Sequence, residues 1–144
     1  MEFLKEAFKA YQIMNQAHHG QVDKAGKSYK YHPIHVALQM RDKKSFIAAL
    51  LHDVIEDSSI SADDLIQIGI SEEIVEAVVV LNHKRYEPYM DYIERVSKSE
   101  IARKVKLADL AHNSDLSRLP EISEKYTKRA AKYAKAIDFL SQEE

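Results

Sequence analysis

Phe46-Ile-Ala-Ala-Leu-Leu-His52-Asp53-Val-Ile55 is apolar along its length except for one His-Asp pair. An imidazole beside a carboxylate in apolar surroundings is costly unless a cation, a polar partner or a metal satisfies both. A core His hydrogen-bonded to its neighbouring Asp is the plain alternative, and for the pair taken alone it is the better one. Further residues shift that balance. Glu56 follows His52 by four residues and Asp57 follows Asp53 by four, so helical spacing stacks these groups on one face, where the carboxylates repel without a cation. Val105-Lys-Leu-Ala-Asp109-Leu-Ala-His-Asn113 repeats the anomaly: Asp109 interrupts a second apolar run, with Asn113 four residues later on the same face. With His32 at the start of its own helix, the candidate ligands are His32, His52, Asp53 and Asp109. Two imidazoles and two carboxylates suit a divalent ion such as Mn, Fe, Co or Zn and leave positions for water and substrate.

The elements that must hold these groups read as helices. Three Gly and three Pro in 144 residues leave little material for the turns of a β-sandwich. An apolar run without a polar face marks Phe46–Ile55 as part of one central, buried helix. Ser61, Ser71 and Ser97 each precede acidic residues and mark helix starts, the last as a capping box with Glu100. Pro33 suits the first position of a helix and makes His32 its N-cap. Ile122, Tyr126, Ala130, Tyr133, Ile137 and Leu140 form the stripe of a closing amphipathic helix. The expectation is a single all-α domain over 1–144, a bundle of about eight helices with a polar loop around His19 to Lys30.

Composition narrows the function. Zero Cys removes disulfides, thiolate metal sites and cysteine nucleophiles, and fits a reducing, cytoplasmic setting. No apolar stretch approaches the ~20 residues needed to span a bilayer, and the start of the chain lacks the pattern of a signal peptide. Twenty-one basic against 23 acidic side chains exclude nucleic-acid binding by bulk charge. The balance is uneven, however. Leu51 to Glu76 holds eight carboxylates and no Lys or Arg, whereas Lys98 to Lys135 holds ten bases against five acids. The first segment can gather around a cation and the second can meet phosphates, although a solvated face is the ordinary role of such runs.

His32, the adjacent His52-Asp53 and the distant Asp109 resemble the H…HD…D signature of the HD-domain metal-dependent phosphohydrolases. More narrowly, Ala17-His-His-Gly-Gln21, Tyr31-His-Pro33, Ala48-Ala-Leu-Leu-His-Asp-Val-Ile-Glu-Asp57 and Val105-Lys-Leu-Ala-Asp109 with Asn113 resemble the hydrolase domain of the RelA/SpoT group and its small stand-alone forms. Those enzymes remove the 3′-pyrophosphate from guanosine polyphosphates. The resemblance runs from about Ala10 to Leu140. It implies one Mn ion on His32, His52, Asp53 and Asp109, and metal-activated water that attacks phosphorus. It implies that Glu56 and Asp57 orient or deprotonate that water, that Asn113 contacts the nucleotide and that Lys24 contacts phosphate. It also implies a small nucleotide as substrate. A hydrolase domain without a companion synthetase domain is expected for a chain of this length, and a homo-oligomer is compatible with it. One departure touches specificity: the position of the family Arg that packs on guanine is Asp23, and a carboxylate cannot make that contact. Ser28 also replaces the usual Pro before Tyr29. A related nucleoside monophosphate phosphatase, or a non-catalytic nucleotide sensor, are therefore the alternatives.

Other signals are weaker. Gly26-Lys27-Ser28 lacks the spacing and preceding strand of a phosphate loop. His35, one turn after His32, is expected at the helix surface or behind the ligands. His18, His19, His83 and His112 have no partner spacing for a second metal, with His83 the first candidate were the site dinuclear. Tyr86, Tyr89 and Tyr92 are expected to cover a helix junction. Lys106 and Arg118 are expected as solvated surface charges.

Overall fold

The computed structural model describes residues 2–23, 26–115 and 124–142. Among them are nine helical segments: α1 (Glu2–Ala17), α2 (Tyr31–Leu38), α3 (Lys43–Leu51), α4 (Val54–Asp57), α5 (Ala62–Ile68), α6 (Glu72–Leu81), α7 (Tyr89–Ser97), α8 (Glu100–Asn113) and α9 (Glu124–Ser141). The only β pairing among the described residues is an isolated bridge between Val22 and Ser28, inside the polar loop. No helix of the described residues is long and apolar enough to cross a membrane.

Burial follows hydropathy. Ile47, Ala48, Ala49, Leu50 and Leu51 of α3 are all buried, which a helix apolar on every side requires. α3 packs against α1, α2, α6 and α8, while α8 also touches α2, α7 and α9. These two central helices carry the two buried polar interruptions, and α2, which carries His32, touches both. The Asp42 carboxylate caps α3 by accepting the Ser45 N–H at 2.9 Å. α5 opens on the Ser61–Asp64 capping box and closes on Gly69 at φ +113°, where the Ile70 N–H returns to the Leu65 carbonyl. A side chain at Gly69 would be strained by that φ, and its Cβ would also stand 2.8 Å from the Lys9 ammonium.

Several helix ends differ from expectation. The apolar helix does not run through the His-Asp pair: α3 stops at Leu51, and α4 is a new single turn. The His52 ring Nδ1–H donates to the Ala49 carbonyl at 2.6 Å, tightening the turn, and Asp53 leaves helical geometry at φ −106°, ψ 2°. α2 begins at Tyr31 with Lys30 as its N-cap, so His32 sits inside the first turn; Pro33 is tolerated there because first-turn N–H groups lack intrahelical acceptors. α8 is capped by Ser99, whose hydroxyl accepts the Ala102 N–H, whereas the Ser97 hydroxyl donates to the Glu94 carbonyl at the end of α7. Ser71 precedes α6, but its hydroxyl donates to Glu6 instead of capping. In α9, Leu140 is buried and Ala130, Tyr133 and Ile137 half-buried as the stripe requires. Ile122 and Arg118 lie outside the described residues.

The segment between α6 and α7 is clamped by one guanidinium. Arg95 donates to both oxygens of Glu87 (2.8 and 3.0 Å) and to the carbonyls of Val80 and Asn82. The Arg95 hydrogen bonds hold the Glu87 carboxyl down at about 2. A depressed carboxyl adds stability that is present above its unfolded value, about 4.3, and lost as pH falls toward about 2. Urea midpoints measured through that window fall more steeply for the wild type than for Glu87→Gln; identical slopes would refute the clamp.

Candidate metal centre

His32, His52 and Asp109 offer ligand atoms that all lie within 4.8 Å of one another, and all three side chains are buried. Nε2 of His32 is 2.7 Å from Asp109 Oδ1. Nε2 of His52 is 3.3 Å from the same oxygen and 3.2 Å from Asp53 Oδ2, yet aligned for a hydrogen bond with neither. Asp53 thus stands against His52 at the edge of the convergent group, where it also accepts the Tyr29 hydroxyl proton.

The donor chemistry fits a cation. The Ala49 carbonyl can only accept, so His52 carries its proton on Nδ1, and a neutral ring turns the Nε2 lone pair toward two carboxylates. Only a proton or a metal ion resolves that clash. The electrostatics agree. Burial alone would lower His52, but Asp53 and Asp109 together outweigh it and raise the imidazole well above its usual value. Burial would raise Asp53 and Asp109; His52 holds the first down at about 2, and Lys106 holds the second well below the carboxylate range. A buried group of two imidazoles and carboxylates with a lone pair aimed among them suits a divalent ion.

No family profile matches the chain. Individual relatives do. A guanosine-3′,5′-bis(diphosphate) 3′-pyrophosphohydrolase of Borreliella burgdorferi is 35% identical over 133 residues, covering 81% of this chain and 20% of the relative. The bifunctional (p)ppGpp synthase/hydrolase SpoT of Escherichia coli K12 is 33% identical over 124 residues, 76% of this chain and 18% of the relative. Over most of its length the chain is similar to part of these RelA/SpoT-type hydrolases. It spans about a fifth of the length of these curated relatives. A solved structure of a metazoan SpoT ortholog that hydrolyses ppGpp shares the fold, with TM-score 0.78 and 24% identity over 94% of this chain and 85% of that one.

Around the HD pair, the polar loop wraps the group. Tyr29 sits between His18 and His32, with ring centroids 4.9 and 5.5 Å away. Burial, and then the Asp53 charge, push its hydroxyl far above the usual value, so it stays a donor. His18 is buried and donates Nδ1–H to Gln21 Oε1 at 3.1 Å, while Gln21 Nε2 donates to the Ala17 and Asp57 carbonyls. Burial lowers His18, keeping it neutral. Asp23 shapes the loop: its carboxylate accepts the Lys27 N–H at 3.0 Å and its backbone pairs with Lys27 and Gly26. Lys24 lies outside the described residues.

Glu56 and Asp57 sit on α4 one turn beyond the pair, both exposed. The His83 backbone N–H donates to Glu56 Oε1 at 3.2 Å, fixing Glu56 from the clamped segment. Desolvation, and then the charges of Asp53 and Glu56, push the Asp57 carboxyl up to about 6. Asn113 lies on the predicted face of α8 and donates to Asp109 Oδ1 at 3.1 Å. His83 stays outside the convergent group; it stacks on Tyr92 at 4.6 Å and donates Nε2–H to the Glu87 carbonyl. Tyr89 and Tyr92 pack with His83 and Tyr133 at the junction of α7 and α9, whereas Tyr86 is 86% exposed.

Lys106 is not the solvated charge expected of it. Its side chain is 15% exposed, its ammonium donates to Asp109 Oδ2 at 2.9 Å and lies 5.2 Å from the Tyr92 ring centre. The three-residue spacing to Asp109 was visible; the burial of that helix face was not. Tyr29 and His112 were also missed as site residues. The His112 ring nitrogen Nδ1 is 2.8 Å from His32 Nδ1, across a separation of 80 residues that no local spacing encodes.

Proposed function

We propose that this chain is a metal-dependent phosphohydrolase that removes the 3′-pyrophosphate from guanosine 3′,5′-bis(diphosphate). The observation that carries the reading is the His52 Nε2 position, turned into the buried group with His32 and Asp109 and against Asp53 at its edge, in a chain similar to these hydrolases. These four residues would hold the ion, with Mn the first choice. A divalent ion there would acidify a water and offset charge on phosphoryl oxygens. Tyr29 fixes the Asp53 carboxylate and Lys106 fixes Asp109, so the protein-borne charges need no reorganisation during reaction. Glu56 and Asp57 orient the attacking water and take its proton at a carboxylate oxygen; the elevated Asp57 suits that work near neutral pH. Asn113 contacts the nucleotide and Lys24 the phosphates. The chain works as a single cytoplasmic hydrolase domain on a small nucleotide, without nucleic acid or membrane.

One observation favours a second reading. Asp23, which replaces the guanine-packing Arg, is spent on its own loop turn, which favours a phosphohydrolase for another nucleotide, such as a nucleoside monophosphate. Mn-loaded protein incubated with guanosine polyphosphates and ordinary nucleotides separates the two: 3′-pyrophosphate release supports the first, orthophosphate from monophosphates the second. No turnover, with nucleotide still raising the melting temperature, would leave a nucleotide sensor instead.

A further inference from the structure

His32 can ligate an ion through Nε2 only if that nitrogen is bare, and its other nitrogen decides whether it is. Nδ1 of His32 lies 2.8 Å from Nδ1 of His112. The ring planes are 12° apart and the centroids 5.0 Å apart, so the imidazoles meet edge to edge, as an N–H···N bond between them requires. Two bare nitrogens would repel at this distance and two N–H groups would clash; one proton lies between them.

We infer that His112 is a positioning residue for His32: its Nδ1 accepts the His32 Nδ1–H and so keeps the His32 Nε2 lone pair turned toward Asp109 and the ion. With a proton on Nε2, His32 donates to the Asp109 carboxylate at 2.7 Å and His112 donates to His32 Nδ1; an ion on Nε2 displaces that proton and leaves the ring's one N–H on Nδ1, facing His112. His112 therefore stands as the neutral ring protonated on Nε2. Its plane is set by His35, whose ring stacks on it at 3.9 Å and 18°. α2 thus grips the His112 ring at its edge with His32 and on its face with His35, one helical turn apart. His112 in turn is fixed on α8, three residues after Asp109, so the helix that supplies the carboxylate also orients the imidazole. The nitrogen of a metal-bound His that faces away from the ion generally needs such a partner.

The inference rests on the reading that His32 holds the ion, and the two can fail separately. His112→Phe keeps a ring against His35 but removes the acceptor; His112→Asn offers an amide oxygen in its place. On the purified full chain, Mn affinity by calorimetry should weaken about 10–100-fold in His112→Phe and recover most of that loss in His112→Asn. Nitrogen NMR of the Zn-loaded wild type should show His32 protonated at Nδ1, a signature that damage to packing would not move. Wild-type affinity in His112→Phe, equal weakening in both variants, or affinity losses that only follow a fall in metal-free melting temperature would overturn the inference. If the wild type itself binds neither Mn nor Zn, the reading of the site falls and this inference falls with it.

Discussion

Asp109→Asn abolishes divalent-ion binding and hydrolysis together, and it destabilises the metal-free fold. Four groups converge on this 5%-exposed carboxylate: His32 Nε2 at 2.7 Å, His52 Nε2 at 3.3 Å and Asn113 Nδ2 at 3.1 Å on Oδ1, and the Lys106 ammonium at 2.9 Å on Oδ2. An amide keeps the shape and loses the charge, so Lys106 is left buried without its counter-ion. Breaking one partner of a buried pair costs about 3–5 kcal/mol, because the surviving charge is desolvated and unpaired. Urea denaturation measures that loss. The double variant Lys106→Met with Asp109→Leu should regain most of the stability, since removing both charges removes the penalty, yet it should bind no ion. Mn at a hundredfold its Kd stabilises the wild type by about 2.7 kcal/mol and should do nothing for either variant. An Asp109→Asn protein that takes up Mn with wild-type affinity would remove Asp109 from the centre.

How much of this was open to sequence reasoning depends on whether the cost of an arrangement is local. His52-Asp53 and Asp109 stood out because an ionisable group in an apolar run needs explaining whatever the fold. Asn113 followed from the i, i+4 geometry of α8, and Ser61–Asp64 from capping chemistry. The break between α3 and α4 was hidden: an apolar run is buried equally well by one helix or two, and the decisive bond, His52 Nδ1 to the Ala49 carbonyl, is a choice of side-chain rotamer. Lys106 showed its partner but not its burial, which depends on Tyr92 from α7 closing over it. Tyr29 and His112 needed the tertiary fold outright, since the loop meets the α3–α4 turn, and the end of α8 meets α2, only after the chain has packed. For Lys106, Tyr29 and His112 the missing quantity was a contact made with another element by an otherwise ordinary residue, whereas for the α3–α4 break it was a local rotamer.

Glu56→Gln retains the ion and loses turnover by about 10²–10⁴-fold, whereas Asp53→Asn loses both. The difference follows from where each carboxylate stands. Asp53 Oδ2 lies 3.2 Å from the His52 lone-pair nitrogen, and the Tyr29 hydroxyl holds it there. An amide at this position loses the negative charge that draws a cation, and its nitrogen cannot ligate. Glu56 lies one turn on, exposed, outside the convergent group of His32, His52 and Asp109, with Oε1 tied to the His83 N–H. Gln preserves that tie through its amide oxygen, so α4 keeps its place and the ligands keep theirs. What it lacks is a basic oxygen to take a proton from water. Calorimetric Mn binding measured beside turnover distinguishes the two variants: similar Kd with collapsed kcat for Glu56→Gln, and no measurable binding for Asp53→Asn. Loss of the ion in Glu56→Gln would make Glu56 a ligand and leave Asp57, pushed up to about 6, as the sole carboxylate free to act as base.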